Sequence, residues 1–217
     1  MDFKSDTIVI VPTYNESKNV SNLLNIFIES DFDILIIDDN SPDGTATIVK
    51  NYLGKYTNVH LLERSGKLGL GSAYRDGFNW ALKREYKSIV EMDADFSHSF
   101  SDLNNLNIYK KDYDLVIGSR YVSGGKTEGW SKGRKLLSVT ANNIAKNLLN
   151  IKVNDMTSGF RIYSRECLKS INYENTKSNG YAFQIEMTLL VSINDRSIKE
   201  IPITFYERSL GDSKMSK

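Results

Sequence analysis

The chain has 217 residues, a hydrophobic content of 40%, a charged content of 25% and a formal net charge of +1, values of an ordinary globular protein that can bury a sizeable core. They exclude a disordered, collagen-like or disulfide-stapled chain, and no self-similar period marks a repeat array.

In chain order, Thr7-Ile8-Val9-Ile10-Val11 is a β-branched run stopped by Pro12, the pattern of a buried strand. Val20, Leu23, Leu24, Phe27 and Ile28 recur at helical spacing within 19–28. Residues 34–37 predict a second buried strand, which ends at Asp38-Asp39. A helix over 43–52, a strand over 59–62, a helix over 71–84 and a strand over 88–92 follow, the last running into Asp93. Beyond them, 115–118 predicts a strand, Gly124, Gly125 and Gly129 a loop, and 136–149 a helix. Residues 155–162 read as turn then strand, 183–192 as a helix, 198–205 as a final strand, and Gly211-Asp212-Ser213 opens a polar tail.

Alternation of helices with continuously apolar strands predicts an α/β fold, with a mostly parallel central sheet covered by helices on both faces. In such sheets ligands bind beyond the carboxyl ends of the strands. Tyr14-Asn15-Glu16, Asp38-Asp39 and Asp93-Ala94-Asp95 all fall there. No linker-like composition separates the halves, so the expectation is one domain, 1–217, with lobes at about 7–98 and 99–217.

The apolar runs are strand-sized, far below the ~20 residues of a membrane span, and Met1-Asp2-Phe3-Lys4 lacks a signal-peptide pattern. Any membrane contact is expected to be peripheral. Cys167 has no internal partner, reads as a small, partly buried apolar residue and fits a reducing, cytoplasmic compartment. The small net charge conceals an asymmetry: residues 1–119 carry 12 Lys/Arg against 18 Asp/Glu, and residues 120–217 carry 16 against 9. Two solvated surfaces would produce this, and so would an acidic metal-holding half and a basic phosphate-holding half.

Asp93 and Asp95 stand two apart after an apolar strand. In an extended segment both carboxylates point the same way and can converge on one hard cation. A lone Asp-x-Asp is a weak signal, since Asp is common in strand-end turns; a second acidic strand end at Asp38-Asp39 strengthens it. Tyr14 offers a flat face to a nucleobase and Glu16 an acceptor, while Asn15 or Ser17 serves equally well as a helix cap.

Nine segments recur in order from about residue 7 to 216. They are Val11-Pro12-Thr13-Tyr14-Asn15-Glu16, Ile37-Asp38-Asp39-Asn40-Ser41-Pro42-Asp43-Gly44-Thr45, Lys67-Leu68-Gly69-Leu70-Gly71-Ser72-Ala73-Tyr74 and Met92-Asp93-Ala94-Asp95-Phe96-Ser97-His98. Gly118-Ser119-Arg120-Tyr121-Val122, Arg134-Lys135-Leu136-Leu137-Ser138, Thr157-Ser158-Gly159-Phe160-Arg161, the stretch from Gly180 to Met187, and Arg208 to Lys214 complete the set. Together they resemble family 2 glycosyltransferases, within them the dolichol-phosphate (polyprenol-phosphate) mannose synthases.

The resemblance implies a GT-A fold, a divalent cation (Mg²⁺ or Mn²⁺) and inverting transfer of mannose from GDP-mannose to a polyprenyl or dolichyl phosphate in a membrane. By position, Pro12, Tyr14, Glu16, Ile37 and Asp39 would hold the nucleoside, and Asp93, Ala94 and Asp95 the metal and diphosphate. Ser97 stands where some relatives carry a glutamine as a further metal contact. Arg120, Arg134 and Ser138 would receive the acceptor phosphate; Arg208 and Lys214, on a loop expected to close, would hold donor phosphates. Asp95, Arg120 and Arg134 are thus the expected catalytic residues. The implied setting is the cytosolic face of a membrane, with a membrane-anchoring partner subunit and without nucleic acid.

A phosphate acceptor is already anionic, which fits guanidinium forks and the lack of an evident general base. Two departures stand out: Phe100 replaces the family's usual proline, expected to loosen the turn, and the chain stops just past the closing loop. His98 reads as a turn histidine and His60 as strand surface. UDP-glucose or another nucleotide sugar is the alternative donor. A glycan synthase with a hydroxyl acceptor would need an acidic base, for which Glu186 is the nearest candidate, and a non-catalytic nucleotide-binding module would not need the arginines.

Overall fold

A computed structural model describes residues 5–207; Arg208 and Lys214 lie outside them. The chain divides into two compact units with the boundary after Phe96.

The first unit contains β1 (Thr7–Thr13), α1 (Ser17–Ile28), β2 (Asp33–Asp38), α2 (Thr45–Lys50), β3 (Val59–Glu63), α3 (Leu70–Leu82) and β4 (Ser88–Glu91). Its strands lie in the order β3-β2-β1-β4 and all pair in parallel, with Val9 of β1 opposite Ile34 of β2 on one side and Val90 of β4 on the other. Ile8 to Val11 and Ile34 to Ile37 are fully buried, as parallel strands covered on both faces must be. Each such side chain contributes roughly 1.5–3 kcal/mol on burial. Helix α3 approaches the sheet at Gly77, where a Cβ would stand 2.7 Å from both Ile10 Cγ2 and Ile37 Cδ1. That close approach packs α3 directly onto β1 and β2.

The second unit contains α4 (Phe100–Ile108), β5 (Leu115–Ser119), β6 (Lys126–Glu128), α5 (Lys132–Leu149), β7 (Arg161–Ser164), α6 (Arg165–Ser170), α7 (Tyr181–Ile193), β8 (Ile198–Pro202) and β9 (Thr204–Tyr206). Strand β5 pairs antiparallel with β7 and parallel with β8, and β6 pairs in parallel with β9 in a separate ladder. The fold is therefore mixed α/β with mostly parallel strands.

Several sequence expectations change here. The glycine-marked loop at 124–129 contains β6, and the single strand expected over 198–205 is two strands belonging to different sheets. The break falls at Ile203: its N–H donates to Ser119 O at 3.1 Å and its carbonyl accepts from Lys126 N at 3.0 Å. Helices α4 and α6 have short apolar stripes, and their clearest sequence signal is the cap: Ser99 Oγ accepts from Asp102 N, and Ser164 Oγ accepts from Cys167 N. Phe100 is the first residue of α4, directly after the N-cap, the position at which proline is favoured for its fixed φ.

Helix α5 is unusual in burying only Asn142 among its residues, while Leu136, Leu137, Ile144 and Leu148 are 61–80% exposed. Cys167 is fully buried, and burial first, then the Asp114 carboxylate, pushes its thiol up to about 12. Among the described residues no helix is long and apolar enough to cross a membrane.

Candidate active site

In the first unit three strand ends build one polar rim. Pro12 and Ile37 are paired in register at the carboxyl ends of β1 and β2. Asn15 and Asn40 then turn the chain with φ of 57° and 56°, a left-handed conformation that Asn tolerates better than most residues. The two loops are laced together: Asn15 N donates to Ser41 Oγ at 3.0 Å, Glu16 N to Thr45 Oγ1 at 3.0 Å and Ser17 N to Asp43 Oδ2 at 2.9 Å. Glu16 is buried, its Oε2 accepting from Asn19 Nδ2 at 2.7 Å. Tyr14 has the Lys67 ammonium 4.8 Å from its ring centroid, so a cation already lies against the flat face that the sequence reading offered to a base.

The two acids of β2's end have different jobs. Asp38 is internal scaffolding, accepting from Thr13 Oγ1, Ser41 N and Ser41 Oγ at 3.0, 2.9 and 2.6 Å. Asp39 accepts from Arg64 Nη1 at 2.9 Å and from Leu68 N at 3.2 Å. Burial raises its pKa above the usual carboxylate value even against the lowering by Arg64. Arg64 also donates to Ser72 Oγ at 2.7 Å and lies 3.1 Å from Asp76. Nothing local in the sequence announces Arg64, 25 positions from Asp39.

After β4 the chain passes through Met92 and Asp93 and bends from Ala94 to His98, so the carboxylates of Asp93 and Asp95 stand on a turn and not on the extended segment expected from the sequence. Asp95 is 5% exposed, Ala94 is buried and Asp93 is partly buried. Phe96 follows with φ of 61°, costly for a bulky side chain and of the kind that collects at functional turns. The donor set is two carboxylates; no cluster of three or more His, Cys, Asp or Glu suited to a metal exists among the described residues. Two hard oxygens of this kind fit a cation that keeps its other positions for phosphate oxygens and water.

In the second unit Arg120 is built into a buried network. Its Nε donates to Asp155 Oδ2 at 2.7 Å, and its Nη2 to Asp155 Oδ1 at 2.6 Å and Thr157 Oγ1 at 2.8 Å. Asn142 Nδ2 donates to Thr157 Oγ1 at 3.0 Å, and Asn142 Oδ1 accepts from Met156 N at 2.8 Å. The Arg120 side chain is 4% exposed and that of Asp155 is fully buried. Burial opposes the charge on Arg120, but the hydrogen bonds and charge of Asp155 outweigh it and raise its pKa. Aromatic faces of Tyr121, Trp130 and Phe205 stand 5.2–5.5 Å from the guanidinium carbon.

Arg134 is placed differently. It sits in the first turn of α5, whose N-cap Ser131 accepts from Arg134 N at 3.3 Å. Its guanidinium lies 4.1 Å from the Trp130 ring centroid and donates to Glu207 Oε1 at 2.8 Å, with side-chain exposures of 43% and 48%. Ser138, one turn further along, accepts from Tyr121 OH at 2.7 Å. Arg120, Arg134 and Ser138 are thereby tied together through Tyr121, Trp130 and Asn142. Asp155, Asn142, Thr157 and Glu207 complete this cluster, and sequence spacing announces none of them.

Ser97 is buried, and its carbonyl accepts from Tyr206 N at 3.1 Å. His98 is a packed turn residue, stacked on Phe160 at 4.6 Å and edge-on to Phe205 at 5.2 Å. His60 is more enclosed than strand surface, 5.0 Å from the Trp80 ring and 3.2 Å from Tyr86 OH. Glu186 accepts from Ser178 N at 3.1 Å, an anchoring role for the loop before α7.

Comparison with known proteins identifies the family. Residues 8–171 match the family described as Glycosyl transferase family 2. The chain is 44% identical over 214 residues to polyprenol monophosphomannose synthase of Mycolicibacterium smegmatis, covering 97% of this chain and 81% of the relative. It is 41% identical over 211 residues to undecaprenyl-phosphate mannosyltransferase of Micrococcus luteus, covering 96% and 87%. Among solved structures, glucosyl-3-phosphoglycerate synthase from Mycobacterium tuberculosis in complex with Mn²⁺, UDP and glucosyl-3-phosphoglycerate superposes with a TM-score of 0.65 at 18% identity, covering 95% and 72%. A mannosyltransferase from Pyrobaculum calidifontis in complex with GDP-Man and Mn²⁺ gives 0.60 at 16%, covering 94% of this chain and 56% of that one. The parallel βα framework, the acidic strand ends and a match that runs nearly end to end lead to one conclusion: the chain is a glycosyltransferase and belongs to family 2.

Proposed function

We propose that this enzyme transfers mannose from GDP-mannose to a polyprenyl phosphate, with inversion at the anomeric carbon. The observation that carries the reading is the arginine cluster of the second unit. Arg134 is exposed with Ser138 one turn away on the same helix, and Arg120 is fixed behind aromatic rings with its Nη1 left uncommitted among the described residues. Such an arrangement suits a phosphate monoester, which needs charge-assisted donors and no deprotonation. Glu186, the candidate base for a hydroxyl acceptor, is engaged with Ser178 N, which favours the phosphate over the hydroxyl. The 41–44% identity to two enzymes named for polyprenyl-phosphate mannosylation supports the same choice.

In this mechanism Pro12, Tyr14, Glu16, Ile37 and Asp39 line the nucleoside's place, while Asp93 and Asp95 hold Mg²⁺ or Mn²⁺ and Ala94 keeps the segment close to the diphosphate. The cation, when bound, offsets charge growing on the leaving diphosphate. Arg134, Ser138 and Arg120 Nη1 hold the acceptor phosphate and set its line of approach. One phosphate oxygen forms a bond to the anomeric carbon as the bond from that carbon to the GDP oxygen breaks, and GDP leaves with the electron pair. No proton needs to move.

Docking on a cytosolic membrane face accounts for the exposed stripe of α5. Leu137, Ile144 and Leu148 lie along one face at helical spacing, and Lys132, Arg134 and Lys135 precede or flank it, the composition of a helix that lies in a bilayer interface.

The test incubates the protein with labelled GDP-mannose, UDP-glucose and other nucleotide sugars, a short polyprenyl phosphate and Mg²⁺ or Mn²⁺, and counts label in the organic phase. Transfer from GDP-mannose supports the reading. Transfer from UDP-glucose alone would keep the mechanism and replace the donor, and no transfer from any donor would overturn it.

A further inference from the structure

Helix α5 carries Arg134 and Ser138, and the one side chain it buries is a polar one, Asn142, 1% exposed. The rest of its inward face, Ser138, Val139, Ala145, Lys146 and Leu149, is only partly buried. A helix without a buried apolar stripe has no close-packed surface to fix its register. Register matters here, because a slip of one residue turns a helix by about 100° and shifts it by about 1.5 Å. Such a slip would carry Arg134 and Ser138 off any phosphate that Arg120 also holds.

Asn142 supplies the register. Its Oδ1 accepts from Met156 N at 2.8 Å and Thr157 N at 3.3 Å. Its Nδ2 donates to Ser138 O at 2.9 Å and Thr157 Oγ1 at 3.0 Å. The amide fits in one orientation alone, since turning it over would set its NH₂ against the backbone N–H groups and its oxygen against the Ser138 carbonyl. The Thr157 hydroxyl is filled as well: it accepts from Arg120 Nη2 and Asn142 Nδ2 and donates to Asp155 Oδ1 at 3.4 Å. The helix and the buried arginine thus meet at a single oxygen atom.

The turn on which Asn142 is seated is itself clamped. Glu200 accepts from Asn154 N and Asp155 N at 2.9 and 3.0 Å. The fully buried Arg161 donates to Met156 O and Ser158 O at 2.8 and 2.7 Å. Asp155 and Thr157 of this turn hold Arg120, and Asn142 hangs α5 on it, with Lys146 on Asn154 Oδ1 at 2.6 Å one helical turn further along. All of these residues belong to the second unit. We propose that Asn142 is a positioning residue for the acceptor phosphate, setting α5 against this turn so that Arg134, Ser138 and Arg120 address the same phosphate. The role rests on the mannosyl-transfer reading above, and Asn142 acts through Arg134 and Ser138 without touching substrate.

The experiment measures kcat and KM for labelled GDP-mannose and for a short polyprenyl phosphate in the wild type, Asn142→Ala, Arg134→Ala and the double variant, each normalised to folded protein by circular dichroism. Asn142→Ala lowers kcat/KM for the lipid phosphate about 10- to 100-fold, as expected when charge-assisted hydrogen bonds are misaligned, and changes KM for GDP-mannose by less than about twofold. In the Arg134→Ala background the same substitution costs at most about threefold more, because the main group it places has gone. Losses that multiply, as a merely structural defect would give, an equal rise in both KM values, or no loss would overturn the proposal. Asn142→Asp keeps the size and the acceptor for both N–H groups but cannot donate to Ser138 O, and gives the same pattern if the alanine variant does not fold. If neither variant folds, Asn142 serves stability and the proposal falls. A wild type that labels no lipid would instead sink the parent reading, and this role with it.

Discussion

Arg120 and Arg134 share a chemical type and differ in almost everything else, and the difference predicts how each responds to mutation. Asp155→Ala leaves the Arg120 charge buried without its partner, and removing one member of a buried pair costs roughly 3–5 kcal/mol. Urea unfolding of Asp155→Ala will show that loss, whereas the double variant Arg120→Met/Asp155→Leu will recover most of the stability and none of the transfer activity. Arg134 and Glu207 are half exposed, where a pair contributes at most about 1 kcal/mol. Arg134→Ala therefore keeps the fold and raises the KM for polyprenyl phosphate, and Glu207→Gln, which removes a carboxylate competing with that phosphate, lowers the KM several-fold in the same assay. Residue types were readable in the sequence; partners were not. Asp155 lies 35 positions from Arg120 and Glu207 lies 73 from Arg134, and no spacing rule connects them.

Elements were legible wherever burial imposes one pattern on a whole segment. β1 and β2 are covered on both faces, so their inner positions, 8–11 and 34–37, are all apolar and the runs are unmistakable. β6 and β9 have three residues each and are half exposed, so they carry no run at all. Gly77 follows from the same buried surface: Gly77→Ala inserts a methyl group against Ile10 and Ile37, and overpacking of that kind costs roughly 1–3 kcal/mol. A lowered midpoint in thermal unfolding, with unchanged kcat per folded molecule, is the expected outcome. Helix α5 gives the opposite case. Leu137→Glu and Leu148→Glu remove no buried contact, so stability shifts stay within about 0.5 kcal/mol, while sedimentation with anionic phospholipid vesicles falls about tenfold.

For the whole molecule, the strand-end rim of the first unit and the family are legible in the sequence but the wiring of the Arg120 cluster is not, because strand ends are local and buried networks are not. Its charge pattern adds one expectation. Residues 120–217 are basic on balance, so binding to anionic vesicles will weaken as salt rises from about 50 to 300 mM, following the shortening Debye length; binding that ignores salt would make apolar insertion its sole source. Chelation by EDTA will abolish transfer and Mg²⁺ or Mn²⁺ will restore it, while Asp95→Asn will lower kcat by at least about 100-fold without changing the circular dichroism spectrum.

Cys167 gives the chain a clock. It is the one thiol in the sequence, fully buried and held protonated by its surroundings, and the thiolate is the form that reacts. A disulfide reagent added to the native protein will therefore wait on the opening of α6 and the strand beside it. The appearance of coloured product then times that opening in unmodified protein, reporting on the second unit without any engineered probe.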